Sequence, residues 1–217
     1  FIITNKSKAF YVGCTKIKNL GDEAVLVTTR KLLTKYYILD LGYHMSPLMK
    51  LFINRKLIKP DIIILGGGTL IKKDASVGFL NKINNIILLW PRVKLITFGT
   101  GTVDMTLSKE TNFPINTLDW KSFFEKCDEI YVRGPSTYSF IREIGISKAI
   151  NVIGDPALYF IKKEKKEIKK KKKIGINFAN YAGRMYGKSE TEFKNFAIEI
   201  FDKLLLNKWD VSFFSTC

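Results

Sequence analysis

Residues 59–71 read KPDIIILGGGTLI, and no other stretch restricts the fold of this chain so tightly. Ile62 to Leu65 is an unbroken apolar run of β-branched character, the pattern of a strand buried on both faces of a sheet. Pro60 and Asp61 close off what precedes it. Gly66, Gly67 and Gly68 end it without side chains, so the backbone can turn sharply and approach a ligand closely. The stretch therefore predicts a central parallel strand whose carboxyl end opens into a site, because ligands of open α/β sheets sit beyond those strand ends. For a single junction of this kind a tight βα turn is the simpler account; recurrence along the chain shifts the balance toward a shared crevice.

The junction does recur. Ala9 to Val12 reads as a first strand ending at Gly13, followed by Asn19-Leu20-Gly21-Asp22-Glu23. Asp22 is the expected N-cap of a helix running to about Lys35, with Ala24, Leu26, Val27, Leu32 and Leu33 on its apolar side. Tyr37 to Leu41 reads as a second strand, and Ser46-Pro47 as the cap and first-turn proline of a helix reaching about Leu57. Asp74 to Leu89 is helical in period and stops at Trp90-Pro91. Val93 to Phe98 is the next strand, expected to break into Gly99-Thr100-Gly101-Thr102. Neither glycine cluster completes a G-x-G-x-x-G fingerprint, since Ile71 and Asp104 occupy the closing positions, and no P-loop is present. Nicotinamide and P-loop chemistry lose support accordingly.

Thr117 to Lys126 reads as a short helix, and Ile130-Tyr131-Val132 as a strand ending at Arg133-Gly134-Pro135-Ser136. A guanidinium at the carboxyl end of a parallel strand, ahead of a proline-started helix, suits bidentate recognition of carboxylate or phosphate. Position alone supports equally an arginine paired with an acid at the sheet rim. The helix from Pro135 to Ile144 ends at Gly145, and the strand Ala149 to Ile153 closes on Gly154-Asp155-Pro156. Beyond a basic segment the pattern restarts. Ile174 to Phe178 is a strand, Ala179 to Lys188 a polar loop, and Ser189 to Glu192 a capping box. The helix that follows carries Phe193, Phe196, Ala197, Ile200, Phe201, Leu204 and Leu205 on one face, and Val211 to Ser215 is one more strand.

With 217 residues, 46% of them hydrophobic, the chain can build one large core or two modest ones. The expected class is α/β, with two Rossmann-like, doubly wound domains. Residues 1–161 form the N-terminal domain, 162–173 a basic linker, and 174–217 the start of a C-terminal domain, with the active cleft between them. Phe1 opens without an initiator Met and Cys217 follows directly on an apparent strand, so both ends are expected to be cut and the second domain truncated.

The net charge of +16 invites a nucleic-acid reading, but Lys162 to Lys173 holds nine Lys against two Glu, so seven of those charges lie in one short run. Such a run is usually a solvated linker; as a functional feature it would be drawn to anionic lipid. No nucleic-acid partner is expected. Cys14, Cys127 and Cys217 form no C-x-x-C pair and suit a reducing compartment, and no apolar stretch approaches the roughly 20 residues of a membrane span. The expected location is cytoplasmic, with peripheral contact at the inner membrane face. His44, the only histidine, sits in a turn with no nucleophile beside it, and no ligand-spaced cluster predicts a metal.

Gly13 with Asn19 to Ala24, Asp61 to Thr69, Gly99-Thr100-Gly101, Arg133 with Ser136 and Gly145, and Gly154-Asp155-Pro156 together resemble the polysaccharide pyruvyl transferase family in order and spacing. The resemblance runs from about Phe10 to Phe214. It departs after Arg133, where many relatives are expected to carry an acid and this chain has Gly134. It implies a two-domain, glycosyltransferase-B-like fold. The implied reaction moves pyruvate from phosphoenolpyruvate onto two hydroxyls of a nucleotide- or lipid-linked sugar, forming a ketal in a precursor of a cell-envelope polysaccharide. No cofactor is implied beyond that donor substrate. The implied sites are Arg133 as an anion clamp, and Gly13, Asn19, Gly21, Asp22, Gly66, Gly67, Gly68, Thr69, Gly99, Gly101 and Asp155 around the substrates, with Gly21 and Gly66 to Thr69 offering backbone donors at helix starts. The family's general acid or base is expected beyond Cys217, which would leave this chain inactive alone. A glycosyltransferase using a nucleotide-sugar donor is the competing activity, and a catalytically incomplete fragment the non-enzymatic alternative.

Overall fold

The computed structural model describes residues 6–17, 19–71, 76–103, 115–160, 172–177 and 189–213. The chain divides into two compact units, Phe1–Ile161 and Lys162–Cys217. The first is built on seven parallel strands: β1 (Ser7–Val12), β2 (Tyr36–Asp40), β3 (Ile62–Leu65), β4 (Gly68–Ile71), β5 (Lys94–Thr102), β6 (Glu129–Val132) and β7 (Ile150–Val152). Their order across the sheet is 2-1-3-5-6-7, with β4 continuing alongside β5 beyond the end of β3.

The helices are α1 (Leu20–Leu32), α2 (Pro47–Asn54), α3 (Asn81–Leu89, entered through a π-helical turn, Ser76–Leu80), α4 (Thr117–Lys126) and α5 (Pro135–Glu143), followed by a 3-10 turn, Pro156–Phe160. Alternation along the strands decides which face each helix covers. Phe10, Val12, Ile63 and Leu65 join Ile53 of α2, Ile83 of α3, Trp120 of α4 and Phe140 of α5 in one apolar layer. Ala9, Tyr11, Ile62 and Ile64 join Leu26 of α1 in the other. Both faces are therefore covered, as an all-parallel sheet requires, and each large side chain so buried contributes about 1.5–3 kcal/mol.

Three local expectations are corrected. Gly66 to Gly68 do not make a βα turn. They are a jog, after which the chain resumes pairing as β4, with Gly68 opposite Thr100 and Thr69 opposite Gly101. The cause is β5, whose nine residues extend past β3 and offer β4 a further edge. Nor does β5 break at Gly99. Gly99 sits at φ +70, the register with β6 shifts between Phe98 and Thr100, and the strand runs on to Thr102, so the glycine makes a bulge. Finally, Asn19 caps α1 in place of Asp22, its side chain accepting from the Gly21 amide at 3.0 Å. Asp22 lies in the first turn, where its charge favours the helix dipole. The helix ends at Leu32 and buries Val25, Leu26, Thr28 and Thr29, while Val27 and Leu32 are exposed.

The second unit pairs β8 (Lys173–Ile176) with β9 (Asp210–Phe213) in parallel, joined through α6 (Glu190–Leu206). Ser189 and Glu192 form the expected capping box, the Ser189 hydroxyl accepting from the Glu192 amide and the Glu192 carboxylate from the Ser189 amide. Phe193, Ala197, Ile200, Phe201 and Leu204 of α6 are half-buried, whereas Phe196 and Leu205, expected on that face, are exposed. The loop 179–188, most of the basic run (162–171) and Asp74 lie outside the described residues. Among the described residues no helix is long and apolar enough to cross a membrane.

Candidate functional site

The chain passes from β1 to β2 on one side and returns to β3 on the other, so the sheet order reverses between β1 and β3. In open α/β sheets that switch point is where ligands bind. Here its floor is occupied by Tyr11. A Cβ placed on Gly66 would lie 2.1 Å from both Cζ and Oη of Tyr11, and one on Gly13 would lie 2.8 Å from its Cε1. Gly13 and Gly66 are buried and make room for this ring, and the Gly66 amide donates to the Val12 carbonyl at 2.9 Å. Burial pushes the Tyr11 phenol well above its ordinary pKa, the carboxylates of Asp22 and Asp40 push it further, and a backbone hydrogen bond at Gly67 opposes them.

Above that floor the junction residues form a continuous rim. Gly68, at φ +93, brings its backbone beneath Asp22, so that a Cβ there would meet Asp22 Oδ1 at 2.7 Å. A Cβ on Gly101 would stand 3.3 Å from the Gly68 carbonyl oxygen and 3.3 Å from Cδ of Arg133. Arg133 pairs with Asp155 at 2.8 Å, both side chains remaining partly open to solvent. The acid at the sheet rim thus comes from the end of β7, where Gly154-Asp155-Pro156 leads into the 3-10 turn. Pro156 rests on the bulge at Gly99, whose Cβ would fall 2.3 Å from the proline ring. Asp22, Gly68, Gly101, Arg133 and Asp155 are therefore consecutive neighbours across the carboxyl ends of the sheet.

Two threonines hold this rim. The buried Thr100 hydroxyl lies 2.7 Å from the Gly66 carbonyl and 3.1 Å from that of Leu65, tying β5 to the jog. Thr100→Val keeps the shape and removes the donor, so it is expected to cost about 1–3 kcal/mol in urea unfolding, and an unchanged midpoint would show the tie to be idle. Thr137 Oγ1 accepts from the Thr102 amide at 3.0 Å, fixing the first turn of α5 against β5. The α5 N-terminus begins just after Arg133, at Gly134, and carries no side-chain cap. Its outward amides and the guanidinium together favour an anion.

The remaining predicted residues fall near this rim in different ways. Asn19 and Gly21 are exposed and bonded to each other at the start of α1. Thr69 is exposed on β4 beside Gly101, Gly67 is buried against Val25 of α1, and no helix start follows the glycine run. His44 is exposed, its ring edge-on to Tyr43 at 4.6 Å. Among the described residues no group of three His, Cys, Asp or Glu is placed to hold a metal. Tyr11, Thr100 and Pro156 were not foreseen. Only the tyrosine two positions before Gly13 hinted at a ring near the strand end.

The family model for polysaccharide pyruvyl transferase matches residues 19–216, nearly the whole chain. The chain belongs to that family. No curated protein and no solved structure matched it. The polysaccharide pyruvyl transferase match begins at Asn19, the cap of α1, and spans every rim residue from Asp22 to Asp155. Family membership thus attaches pyruvyl transfer to polysaccharide to a chain whose carboxyl-end rim presents, among the described residues, the Arg133 guanidinium, a helix N-terminus without a side-chain cap, and the carboxylates of Asp22 and Asp155.

Proposed function

We propose that this chain, through its first unit, binds phosphoenolpyruvate and transfers pyruvate to a sugar of a cell-envelope polysaccharide precursor, as a ketal. The donor carries a carboxylate and a phosphate, and the product keeps only the carboxylate. Two acceptor hydroxyls attack C2 of the enol in turn, and the C2–O bond to phosphate breaks. One hydroxyl proton ends on the methylene carbon, which becomes methyl, and the other leaves with inorganic phosphate. Cationic groups that hold the carboxylate and the departing phosphate accelerate such a reaction.

The observation that carries this reading is the convergence of Arg133 and the uncapped start of α5 at one strand tip, with Asp155 orienting the guanidinium. Arg133 holds the anion. Asp22, beside Gly68 at the α1 end of the rim, faces the sugar side, where a carboxylate suits hydroxyls better than phosphate. The larger architecture that fits is a pair of Rossmann-like domains of glycosyltransferase-B type. Phosphoenolpyruvate is the only small-molecule requirement beyond a nucleotide- or lipid-linked acceptor, with no metal or organic cofactor, and the reaction belongs to the cytoplasmic face of the envelope.

The test is phosphate release by the full-length protein, expected only when phosphoenolpyruvate and a diol-bearing sugar acceptor are both present, with a pyruvate ketal in the product. Release of a nucleoside diphosphate without phosphoenolpyruvate would replace this reading by glycosyl transfer.

A further inference from the structure

The α2–α3 side of the first unit combines two features. Between Leu41 and Pro60 the sequence has Lys50, Arg55, Lys56 and Lys59 and no Asp or Glu, and from Asn81 to Lys94 it again has no acid. All four of those basic residues are exposed. Within the same span α2 turns Met49, Phe52 and Ile53 toward the core and leaves Leu48 60% and Leu51 47% exposed, while Leu57, just past its end, is 66% exposed. Single exposed leucines are ordinary; three within ten residues, in a span that carries four cations and no acid between Leu41 and Pro60, are not.

A cleft of about 470 Å³ opens between the two helices. Ile53, Ile86 and Leu89 give it apolar walls, Lys50, Lys82 and His44 line it as well, and no carboxylate does. The Lys82 ammonium is held at its edge by the carbonyls of Gly42 and Tyr43, at 2.6 and 3.1 Å. An anionic head on an apolar stem matches that lining.

We propose that the α2–α3 face seats on an anionic membrane surface. Leu48, Leu51 and Leu57 enter the headgroup layer, Lys50, Arg55, Lys56 and Lys59 lie among the lipid phosphates, and the cleft takes one lipid headgroup against Lys50 and Lys82. The chemistry selects a bilayer over the other occupants. At a lipid interface the cations stay hydrated while their stems and the leucines sink toward the acyl chains. A dry interface with a second copy of this chain, itself of net charge +16, would have to desolvate the same cations without adequate counter-charges. Nucleic acid offers phosphates but nothing for the leucines. This contact goes beyond the transferase reading, since membrane docking needs no phosphoenolpyruvate.

The test is co-sedimentation of the protein with vesicles of phosphatidylglycerol and phosphatidylcholine against phosphatidylcholine alone. Binding is expected for the anionic vesicles only. It should weaken roughly tenfold or more in Leu48→Ser/Leu51→Ser, whose exposed positions leave thermal melting unchanged, and be lost in Lys50→Glu/Lys56→Glu. A variant with the lysines of residues 162–173 changed to Gln should keep the leucine-dependent part. No binding to anionic vesicles overturns the proposal. So does binding that the leucine and charge variants leave intact, and so does a dimer in solution that the leucine variant dissociates, which would make the face a self-association surface.

Discussion

Gly66→Ala is expected to destabilise the first unit by about 3 kcal/mol and to lower its melting temperature by roughly 10 °C, although it adds a single methyl. That methyl would stand 2.1 Å from Cζ and Oη of Tyr11, inside the van der Waals envelope of a ring that is 1% exposed. The ring has nowhere to swing. Gly13 bounds it on one side, where even a Cβ would come within 2.8 Å, and the layer under α1, with Leu26 and Ile64, bounds it from below. The backbone at Gly66 cannot retreat either, because its amide is bonded to Val12 and its carbonyl to Thr100. Tyr11→Ala should also be costly, by about 3 kcal/mol for the cavity it leaves, yet in that background Gly66→Ala should be nearly neutral. Removing only the hydroxyl, as Tyr11→Phe, should not relieve the clash, since Cζ remains. Urea unfolding of the four proteins in the Tyr11→Ala cycle measures the coupling. Simple additivity of the two costs would show that the ring and the glycine do not compete for the same space.

That contact also shows where reading the chain alone stops. A strand at Ile62–Leu65, a helix opened by Ser46-Pro47 and capped through the Ser46 hydroxyl, and the capping box at Ser189 are all local patterns, so they were legible. β4 was not. Thr69-Leu70-Ile71 is too short a run to read as a strand straight after three glycines, and it becomes one because the far half of β5, some thirty residues later, supplies an edge. Gly99 and Gly101 looked like a strand's end for the same reason, whereas their neighbours β4 and β6 hold the strand straight through them. At the site, Arg133 stood out from position and residue type. Its pairing with Asp155, and the packing of Tyr11 under Gly66, join residues distant in sequence, and glycine spacing carries no record of which side chain made each glycine necessary.

Arg133→Ala is expected to weaken phosphoenolpyruvate binding roughly 30- to 150-fold, or about 2–3 kcal/mol, in titration calorimetry on the full-length protein. Its melting temperature should hardly move, because the guanidinium is partly exposed and a surface ion pair adds little to stability. Arg133→Lys should recover little of the loss, since an ammonium cannot engage Asp155 and a planar carboxylate or a phosphate edge together as a guanidinium fork does. Asp155 decides between two roles for the pair. If the carboxylate orients the guanidinium toward the α5 N-terminus, Asp155→Asn should weaken binding several-fold while leaving the 2.8 Å contact between residues 133 and 155 available through the amide oxygen. If it instead competes with the incoming anion, the same substitution should tighten binding, because a neutral amide no longer opposes a negatively charged ligand. The geometry favours the first. Asp155 is fixed from the far side, its Oδ1 accepting from the Ala157 amide at 2.9 Å while its other oxygen meets Arg133, and Pro156 locks the loop onto the Gly99 bulge. An acid held that firmly positions its partner and does not yield to a ligand. Unchanged affinity in Arg133→Ala would remove the anion clamp from this strand tip altogether.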